Sequence, residues 1–240
     1  MRIDKVLSQL KYGSRMAVKK MIEQGRVQIN HQTVQKADQK VTYQDTIFVD
    51  DETVYFKEQI YLKLNKPKGY VSANKDQLHP CVTDLIKEPF NRYDLHIAGR
   101  LDIDTEGLLI LTTDGKLIHD ITHPKKHLKK VYEVVLNRPF DTPYDVLLNG
   151  LFIKNEFQED VFVKALDLSF NEQQGLLTID EGKYHQVKKM FKAIGYDVTY
   201  LKRIQIGALN LEDLKIGTYE LINKEDIYEW ADSISIWRFR

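Results

Sequence analysis

The apolar residues at the start of the chain recur at the spacing of two helices. The first group occupies positions i, i+3, i+4 and i+7 of one helical face: Ile3, Val6, Leu7 and Leu10. A second stripe consists of Val18, Met21 and Ile22. Gly13 is expected to end the first helix, Ser14 to cap the second, and Gly25 to stop it. Residues 26–29 then alternate as a half-buried strand, with a turn near Asn30. The first forty residues therefore predict a small helix–helix–hairpin unit.

A polar, charged connecting segment at residues 50–59 separates this unit from the rest of the chain. We place the domain boundary there, with a small domain at 1–59 and a larger one at 60–240. The larger domain alternates apolar strands with fewer helices, which favours a mixed α+β fold with a largely antiparallel sheet. The predicted strands are residues 60–64, 108–111, 131–136, 176–179 and 200–206.

One helix is predicted in the second half of the larger domain. Its buried stripe is Val187, Met190, Phe191 and Ile194, and Gly195 is expected to end it. A different face carries three basic residues at i, i+3 and i+7: His185, Lys188 and Lys192. A basic stripe of this kind is usually a solvated face, so its spacing alone assigns no function.

Composition indicates a soluble globular protein. The chain has 240 residues, of which 42% are hydrophobic and 29% are charged. No apolar run approaches the roughly 20 residues needed to span a bilayer, and the first residues lack the apolar region of a signal peptide. The single cysteine, Cys81, allows no internal disulfide and no thiolate zinc site. We therefore expect a protein of the reducing cytoplasm with no membrane partner.

The net charge of zero hides a segregation of charge along the chain. Residues 1–40 carry nine lysines and arginines against three acids, and residues 181–203 carry six against two. Residues 141–180, in contrast, carry eight acids against two bases. Such segregation suggests basic surfaces for a polyanion, although charges that cluster in sequence often disperse in space. Nucleic acid is the partner that this pattern favours.

The most informative segment is the polar, glycine-bounded loop at residues 98–107, which runs directly into an apolar strand. Loops on the rim of a rigid sheet disproportionately carry function. This one holds the carboxylate of Asp102 two residues after the cation Arg100. An aspartate in a turn often caps the next element instead, but Asp104 or Thr105 could do that equally well.

This loop, together with residues 64–71, resembles the signature of the pseudouridine synthases, in particular the small-subunit ribosomal RNA pseudouridine synthase family. The resemblance implies that Asp102 is the nucleophile. It also implies that Lys188 is the basic residue paired with Asp102, which would keep that carboxylate ionised in a closed pocket. Many relatives carry arginine at this position, and lysine is the form associated with the small-subunit branch.

The same resemblance assigns a pocket for the target base. Tyr132 would stack on the base, since an aromatic ring can hold a flipped base by its π-face. Leu201 would form an apolar wall of the pocket, and Arg100 would act as a wedge or clamp on the RNA. The lysines at 129 and 130 argue against a fully buried site around Tyr132.

The N-terminal unit resembles the S4 RNA-binding domain, because Ser14 and Arg15 stand at the start of its second helix and Gly25 and Arg26 directly follow that helix. The resemblance implies contacts to the RNA backbone that position the RNA without reading its sequence. Arg15 and Lys19 lie one turn apart on the face opposite the apolar stripe. The residues expected to contact RNA are Arg2, Lys5, Ser14, Arg15, Lys19 and Arg26.

Pseudouridine formation cleaves the N1–C1′ glycosidic bond, rotates the uracil and rejoins it through C5. The reaction is redox-neutral and hydrolyses nothing, so we expect no cofactor and no metal. The chain has no Gly-rich phosphate loop and no His/Cys cluster at metal-ligand spacing. His119, His123 and His127 fall at i, i+4 and i+8, but Pro124 interrupts any helix through them.

The predicted function is the conversion of one uridine of 16S rRNA to pseudouridine by a monomer, on naked rRNA or on a small-subunit assembly intermediate. One alternative is a large-subunit rRNA synthase of the same superfamily. A second is a non-catalytic RNA-binding or ribosome-assembly protein, which the complete set of Asp102, Tyr132 and Lys188 argues against. A third is a hydrolase that uses Asp102 and Asp104 as a carboxylate pair, although no glycan-binding aromatics cluster near them.

Overall fold

The computed structural model describes residues 1–123 and 126–228 of the chain. Helices and strands are mixed along this part, so the predicted α+β class is confirmed. The longest described helix, Arg15–Glu23, has nine residues. No described helix is therefore long and apolar enough to cross a membrane.

The described residues form two compact units, and the chain crosses between them more than once. The first unit contains residues 1–60 and 86–95, and the second begins at residue 61. The predicted boundary at residue 59 did not anticipate the return of residues 86–95. That segment belongs to the first unit because the ring of Tyr93 packs on its core and the Tyr93 hydroxyl donates to the carbonyl of Tyr55 at 2.8 Å.

The first unit has two helices followed by four short strands. These elements are α1 (Ile3–Gln9), α2 (Arg15–Glu23), β1 (Val27–Ile29), β2 (Gln32–Thr33), β3 (Ile47–Val49) and β4 (Glu52–Val54). The strands form an antiparallel sheet in the order β2–β1–β3–β4. The helix–helix–hairpin prediction is therefore confirmed, and two further strands complete the sheet.

The apolar stripes predicted for α1 and α2 form the core of this unit. Ser14 caps α2 as predicted, because its Oγ accepts a hydrogen bond at 3.2 Å from the N–H three residues on. Gly25 follows α2 with a φ of 73°, in the left-handed region that favours glycine. The first helix ends earlier than predicted, at Gln9, because Lys11 rather than Gly13 takes the left-handed conformation, with a φ of 58°.

The second unit contains the remaining strands and helices. They are β5 (Tyr61–Lys66), β6 (His96–Ala98), β7 (Glu106–Thr112), α3 (Gly115–Thr122), β8 (Lys130–Leu136), α4 (Asp145–Leu148), β9 (Leu151–Lys154), β10 (Asp160–Val163), β11 (Asp167–Asn171), β12 (Gln174–Ile179), α5 (Gln186–Ala193), β13 (Val198–Ile206), β14 (Leu209–Asn210), β15 (Tyr219–Leu221) and α6 (Glu225–Tyr228). All five predicted strands and the predicted helix are present among them.

A nine-stranded sheet dominates this unit. Seven strands follow the order β11–β12–β8–β13–β7–β5–β15, with β6 paired to β7 and β14 paired to β13, while β9 and β10 form a separate hairpin. Every pairing is antiparallel except that of β13 with β7. The prediction of a mixed, largely antiparallel sheet is therefore confirmed.

The parallel pairing of β13 with β7 depends on a glycine. Gly107 at the start of β7 lies in register with Arg203 of β13 and has a φ of 104°. A Cβ atom at Gly107 would collide with the backbone of Arg203. Glycine therefore allows the two strands to meet at the point where the loop at residues 98–107 enters the sheet.

Candidate active site

The backbone of the Asp102 loop is held by a buried lysine at the end of β5. Lys66 is fully buried, and its Nζ donates to the carbonyls of Asp102 at 2.9 Å and Thr105 at 2.8 Å. Burial lowers the pKa of Lys66 to about 8, although Asp104 and Asp102 oppose that shift. Sequence reasoning assigned Lys66 no role of its own. Its only signal was a lysine directly after an apolar strand, in the run matched to the family.

A second set of contacts fixes the same loop from the segment that follows β5. The Oγ of Ser72 donates to the carbonyl of Leu101 at 2.8 Å and accepts from the Leu101 N–H at 3.0 Å. The N–H of Gly69 donates to the carbonyl of Ile103 at 2.8 Å. Because its backbone is bonded on both sides of Asp102, the loop presents that carboxylate in a defined position.

The carboxylate of Asp102 faces α5. Nζ of Lys188 lies 2.8 Å from Oδ2 of Asp102 and 2.5 Å from Oδ1 of Asp104. Nε2 of His185 lies 3.4 Å from the other oxygen of Asp102. About a quarter of the Asp102 side chain is exposed (26%), so the carboxylate is both paired and accessible.

The ion pairs shift two of these pKa values. Burial by itself would lower the pKa of Lys188, but hydrogen bonds to Asp102 and Asp104 outweigh it, and the pKa is raised. Burial would likewise raise the pKa of Asp104, but the bond from Lys188 prevails and lowers it. The cation therefore stays charged at neutral pH beside the Asp102 carboxylate.

The orientation of α5 follows from its own sequence. Its predicted apolar stripe is buried through Val187, Met190 and Phe191. The side chain of Gln186, also buried, accepts from the N–H of Lys183 at 2.9 Å and so fixes the turn that leads into the helix. With that face inward, Lys188 points to the Asp102 loop.

The basic stripe predicted on α5 is only partly directed at the site. His185, at the N-cap with a φ of 52°, and Lys188 both approach Asp102. Lys192 instead pairs with Asp197 at 2.7 Å. Three residues at helical spacing therefore divide between two partners, because seven residues advance about 10 Å along a helix axis.

Tyr132 lies on the buried face of β8, directly opposite Arg203 of β13. Arg203 is almost fully buried (1% exposed), and it donates from Nε to the carbonyl of Leu108 at 2.8 Å and from Nη2 to the carbonyl of Gly99 at 2.5 Å. Its Nη1 lies 3.5 Å from the Tyr132 hydroxyl. Arg203 thus connects Tyr132 to Gly99, the first glycine of the Asp102 loop. No sequence pattern indicated this role for Arg203.

The expectation that lysines would keep the surroundings of Tyr132 open is wrong. Tyr132 is 6% exposed, and Lys130, which shares its face of β8, is buried as well. Nζ of Lys130 turns back to the carbonyl of Leu128 at 2.9 Å. Burial, with a contribution from the nearby Arg203 cation, lowers the pKa of Lys130 to about 8. A lysine two residues from the tyrosine therefore did not indicate that the tyrosine is exposed to solvent.

The two remaining residues assigned to the base pocket differ in their surroundings. Leu201 is buried on β13, opposite Val134 and two residues from Arg203, so it shares a sheet face with Tyr132. Arg100 is exposed, and within the described part of the chain it forms no hydrogen bond or ion pair. Its guanidinium is therefore available to a ligand.

The basic residues predicted to bind RNA in the first unit fall into two groups. Lys5, Arg15 and Lys19 are exposed. Two others already have acidic partners: Arg2 donates to Asp4 at 2.8 Å, and Arg26 makes two bonds to Asp50 at 2.7 and 2.6 Å. Ser14 uses its hydroxyl as the cap of α2.

The three spaced histidines do not converge. The rings of His119 and His123 contact each other with centroids 4.7 Å apart, while Nδ1 of His127 lies 2.8 Å from Asp180. Helix α3 ends at Thr122. Pro124, the residue predicted to interrupt a helix there, lies outside the described residues. Among the residues described, no three His, Cys, Asp or Glu side chains are grouped as metal ligands.

Known proteins match the chain over almost its whole length. A family model of RNA pseudouridylate synthases matches residues 60–193, and a model of the S4 domain matches residues 1–47. An uncharacterized RNA pseudouridine synthase of Aquifex aeolicus is 40% identical over 232 residues, 95% of each protein. The ribosomal small subunit pseudouridine synthase A of Escherichia coli strain K12 is 37% identical over 230 residues, 95% of this chain and 98% of that protein.

A solved structure supports the same conclusion. The crystal structure of a pseudouridylate synthase is 36% identical to this chain, covers 95% of it and 98% of the solved chain, and gives a TM-score of 0.64. The matched residues 60–193 include the anchored loop, the Asp102–Lys188 pair and the strand that carries Tyr132. The chain therefore belongs to the RNA pseudouridine synthase family, with an S4 domain at its N-terminus.

Proposed function

We propose that this enzyme converts a uridine of 16S rRNA in the small ribosomal subunit to pseudouridine, and that Asp102, Tyr132 and Lys188 are its catalytic residues. The observation that carries the proposal is the pairing of an accessible carboxylate on a rigid loop with a lysine on α5. The small-subunit assignment rests on relatives named ribosomal small subunit pseudouridine synthase A, which align over nearly the full length. Lysine rather than arginine at position 188 agrees with that branch.

The chemistry requires an ionised carboxylate at the reacting uridine. The bond from N1 to C1′ breaks, a bond from C5 to C1′ forms, C5 loses its proton and N1 gains one, so no oxidant or co-substrate is needed. Asp102 is the nucleophile in this scheme. Lys188 holds Oδ2 of Asp102 and stabilises the negative charge before the base arrives.

The target uridine has to leave its stack before Asp102 can reach it, which costs a few kcal/mol. Arg100, exposed on the same loop, is placed to hold the RNA beside the nucleophile. Tyr132 and Leu201 share one face of the sheet and would form the aromatic and apolar walls around the base. Arg203 positions Tyr132 relative to the loop.

The first unit would supply contacts to the RNA backbone. Lys5, Arg15 and Lys19 are exposed cations that can neutralise phosphates. Arg2 and Arg26 would first have to release their carboxylate partners, so we assign them a smaller share of the RNA binding. We expect the enzyme to act as a monomer. Buried Cys81 is the single cysteine, which fits a cytoplasmic enzyme.

The alternatives make different predictions for the same experiment. Pseudouridines should be mapped in 16S and 23S rRNA from cells that lack the protein and from cells that carry the wild type or Asp102→Asn. The proposal requires one 16S position to lose its pseudouridine and to regain it only with the wild type. Loss at a 23S position would indicate a large-subunit synthase. Restoration by Asp102→Asn would indicate a non-catalytic role in ribosome assembly.

A further inference from the structure

The hairpin of β9 and β10 displays aromatic side chains that its own core does not use. Its buried face carries Ile153 and Val163. On the opposite face Phe152 and Phe162 are directly paired across the strands, with ring centroids 5.5 Å apart, and they are 65% and 48% exposed. Exposing two large rings side by side costs hydrophobic free energy, so a paired, exposed set of this kind indicates a binding surface.

The turn of the hairpin presents a third ring. Phe157 is 75% exposed. The side chain of Asn155 holds the turn in shape, because its Oδ1 accepts from the N–H of Phe157 at 2.8 Å and from the N–H of Glu159 at 2.9 Å, while its Nδ2 donates to Glu159 at 2.8 Å. Phe157 is therefore displayed by a hydrogen-bonded turn.

Two lysines, one in the turn before α5 and one in α5 itself, attach this hairpin to that segment of the chain. Nζ of Lys183 donates to the carbonyl of Phe162 at 2.5 Å, and Nζ of Lys189 donates to the carbonyl of Lys154 at 2.6 Å. These lysines flank His185 and Lys188, the residues that contact Asp102. The aromatic face is consequently fixed close to the side chains that act on the target uridine.

We infer that the Phe152–Phe162 face binds unpaired nucleobases of the RNA next to the target uridine. Flipping a base out of a helix or loop leaves its neighbours without a stacking partner, and aromatic rings beside lysines are what such bases bind. The hairpin at residues 151–163 carries three acids against one lysine, so Lys183 and Lys189 at its two edges balance that charge, and Lys183 also pairs with Glu181 at 3.2 Å. The inference rests on the proposed action on rRNA and adds a second RNA contact outside the catalytic pocket.

The test compares the wild type with the double variant Phe152→Ala/Phe162→Ala on a 16S rRNA transcript. Each stacked base lost should weaken binding at least about fivefold, or roughly 1 kcal/mol. KM should rise by a similar factor, while kcat at saturating RNA stays the same. The slope of log affinity against log salt should not change, because no phosphate contact is removed.

Two matched variants control for surface hydrophobicity. Phe152→Tyr/Phe162→Tyr keeps the rings and should keep the affinity. Leu221→Ala removes an exposed apolar side chain from β15, an edge strand of the nine-stranded sheet that does not contain the hairpin, and should leave both affinity and KM unchanged. A loss of affinity in the Leu221 variant equal to that of the double alanine variant would overturn the inference.

The remaining outcomes separate this inference from the proposed function. If the wild type modifies the transcript and the double alanine variant matches it in affinity and KM, the inference is wrong and the proposed function stands. If affinity falls only for an assembly intermediate that carries ribosomal proteins, the face binds protein rather than RNA, and the inference is again wrong. If the wild type neither binds nor modifies 16S rRNA, whether as the naked transcript or within an assembly intermediate, both proposals fail.

Discussion

Nζ of Lys188 lies 2.8 Å from Oδ2 of Asp102, although the two residues are 86 positions apart in the chain. The carboxylate is held by a loop whose backbone is bonded to Lys66 and Ser72, and the lysine by a helix that buries its opposite face. Neither partner depends on the other for its position. The pair is therefore preorganised, and each residue can be changed with the rest of the site in place.

Asp102→Asn should abolish pseudouridine formation while leaving the fold and RNA affinity close to those of the wild type. The amide is the same size as the carboxylate but cannot act as a charged nucleophile. Single-turnover assays on a 16S rRNA transcript measure the chemical step, and circular dichroism checks the fold. Turnover within about tenfold of the wild type, or roughly 1.4 kcal/mol of barrier, would contradict the assigned role.

Lys188→Met should reduce turnover at least about tenfold, because it leaves the carboxylates of Asp102 and Asp104 together without their shared cation. The pKa of Asp104 should also rise in this variant, since the hydrogen bond from Lys188 that lowers it is lost. Lys188→Arg keeps the charge and should be milder. Full activity of Lys188→Met across the pH range would assign the basic role to another residue.

Arg203→Met should destabilise the second unit by at least about 2 kcal/mol, because it leaves the buried carbonyl of Leu108 and the half-buried carbonyl of Gly99 without their donors. Turnover should fall as well, since Arg203 positions both the loop and Tyr132. Urea unfolding gives the stability, and saturating kinetics give kcat. Lys202→Met, on the neighbouring and less buried position of β13, is the matched control and should keep wild-type stability and turnover.

Arg15→Gln/Lys19→Gln should weaken rRNA binding and lower the slope of log affinity against log salt by up to about two units, because each phosphate contact contributes somewhat under one. Lys20→Gln removes one charge rather than two, from another face of α2, and should change the slope by less than half as much. The kcat at saturating RNA should not change in either variant. An unchanged slope in the double variant would move phosphate binding away from this helix.

Point variants test RNA binding by the first unit better than removal of residues 1–59 does. The segment at residues 86–95 belongs to the first unit and packs on its core through Tyr93. A truncated chain would expose that packing surface, so weaker binding could result from damage to the fold. Charge substitutions at exposed positions avoid that ambiguity.

Stability should fall between about pH 4 and pH 2 through Asp114, the buried N-cap of α3. Burial would raise its pKa, but bonds from Lys224, Tyr61 and two backbone N–H groups outweigh it and lower the pKa to about 2. A carboxylate with a folded pKa below its unfolded pKa stabilises the protein above the unfolded value and loses that contribution as the pH falls. The loss should be about 2 kcal/mol.

The measurement for Asp114 is urea unfolding of the wild type and Asp114→Asn at pH 5 and pH 2.5. The free-energy gap between the two proteins should shrink at the lower pH, since the variant has no carboxylate to protonate at that position. Lys224→Met removes one of the donors to Asp114. The free-energy gap between this variant and the wild type should therefore also shrink at the lower pH, but by less. A gap that stays constant with pH would rule out Asp114 as the titrating group.

Local pattern was sufficient for much of this molecule. Apolar residues at helical spacing located α1 and α2, the hydroxyl of Ser14 marked the start of α2, and apolar runs located the central strands. These features depend on interactions between residues close in the chain, so they can be seen in the sequence. The loop around Asp102 stood out for the same reason, as a polar segment directly before a buried strand.

Tertiary structure decided what the local pattern could not show. Lys66 and Arg203 are charged residues in strands, and the sequence gives no indication that folding buries them against the carbonyls of a distant loop. Residues 86–95 carry no local sign that they pack on the first unit. A periodic pattern determines which face of an element is buried. Which residues meet on that face depends on how the strands pair and where the chain returns.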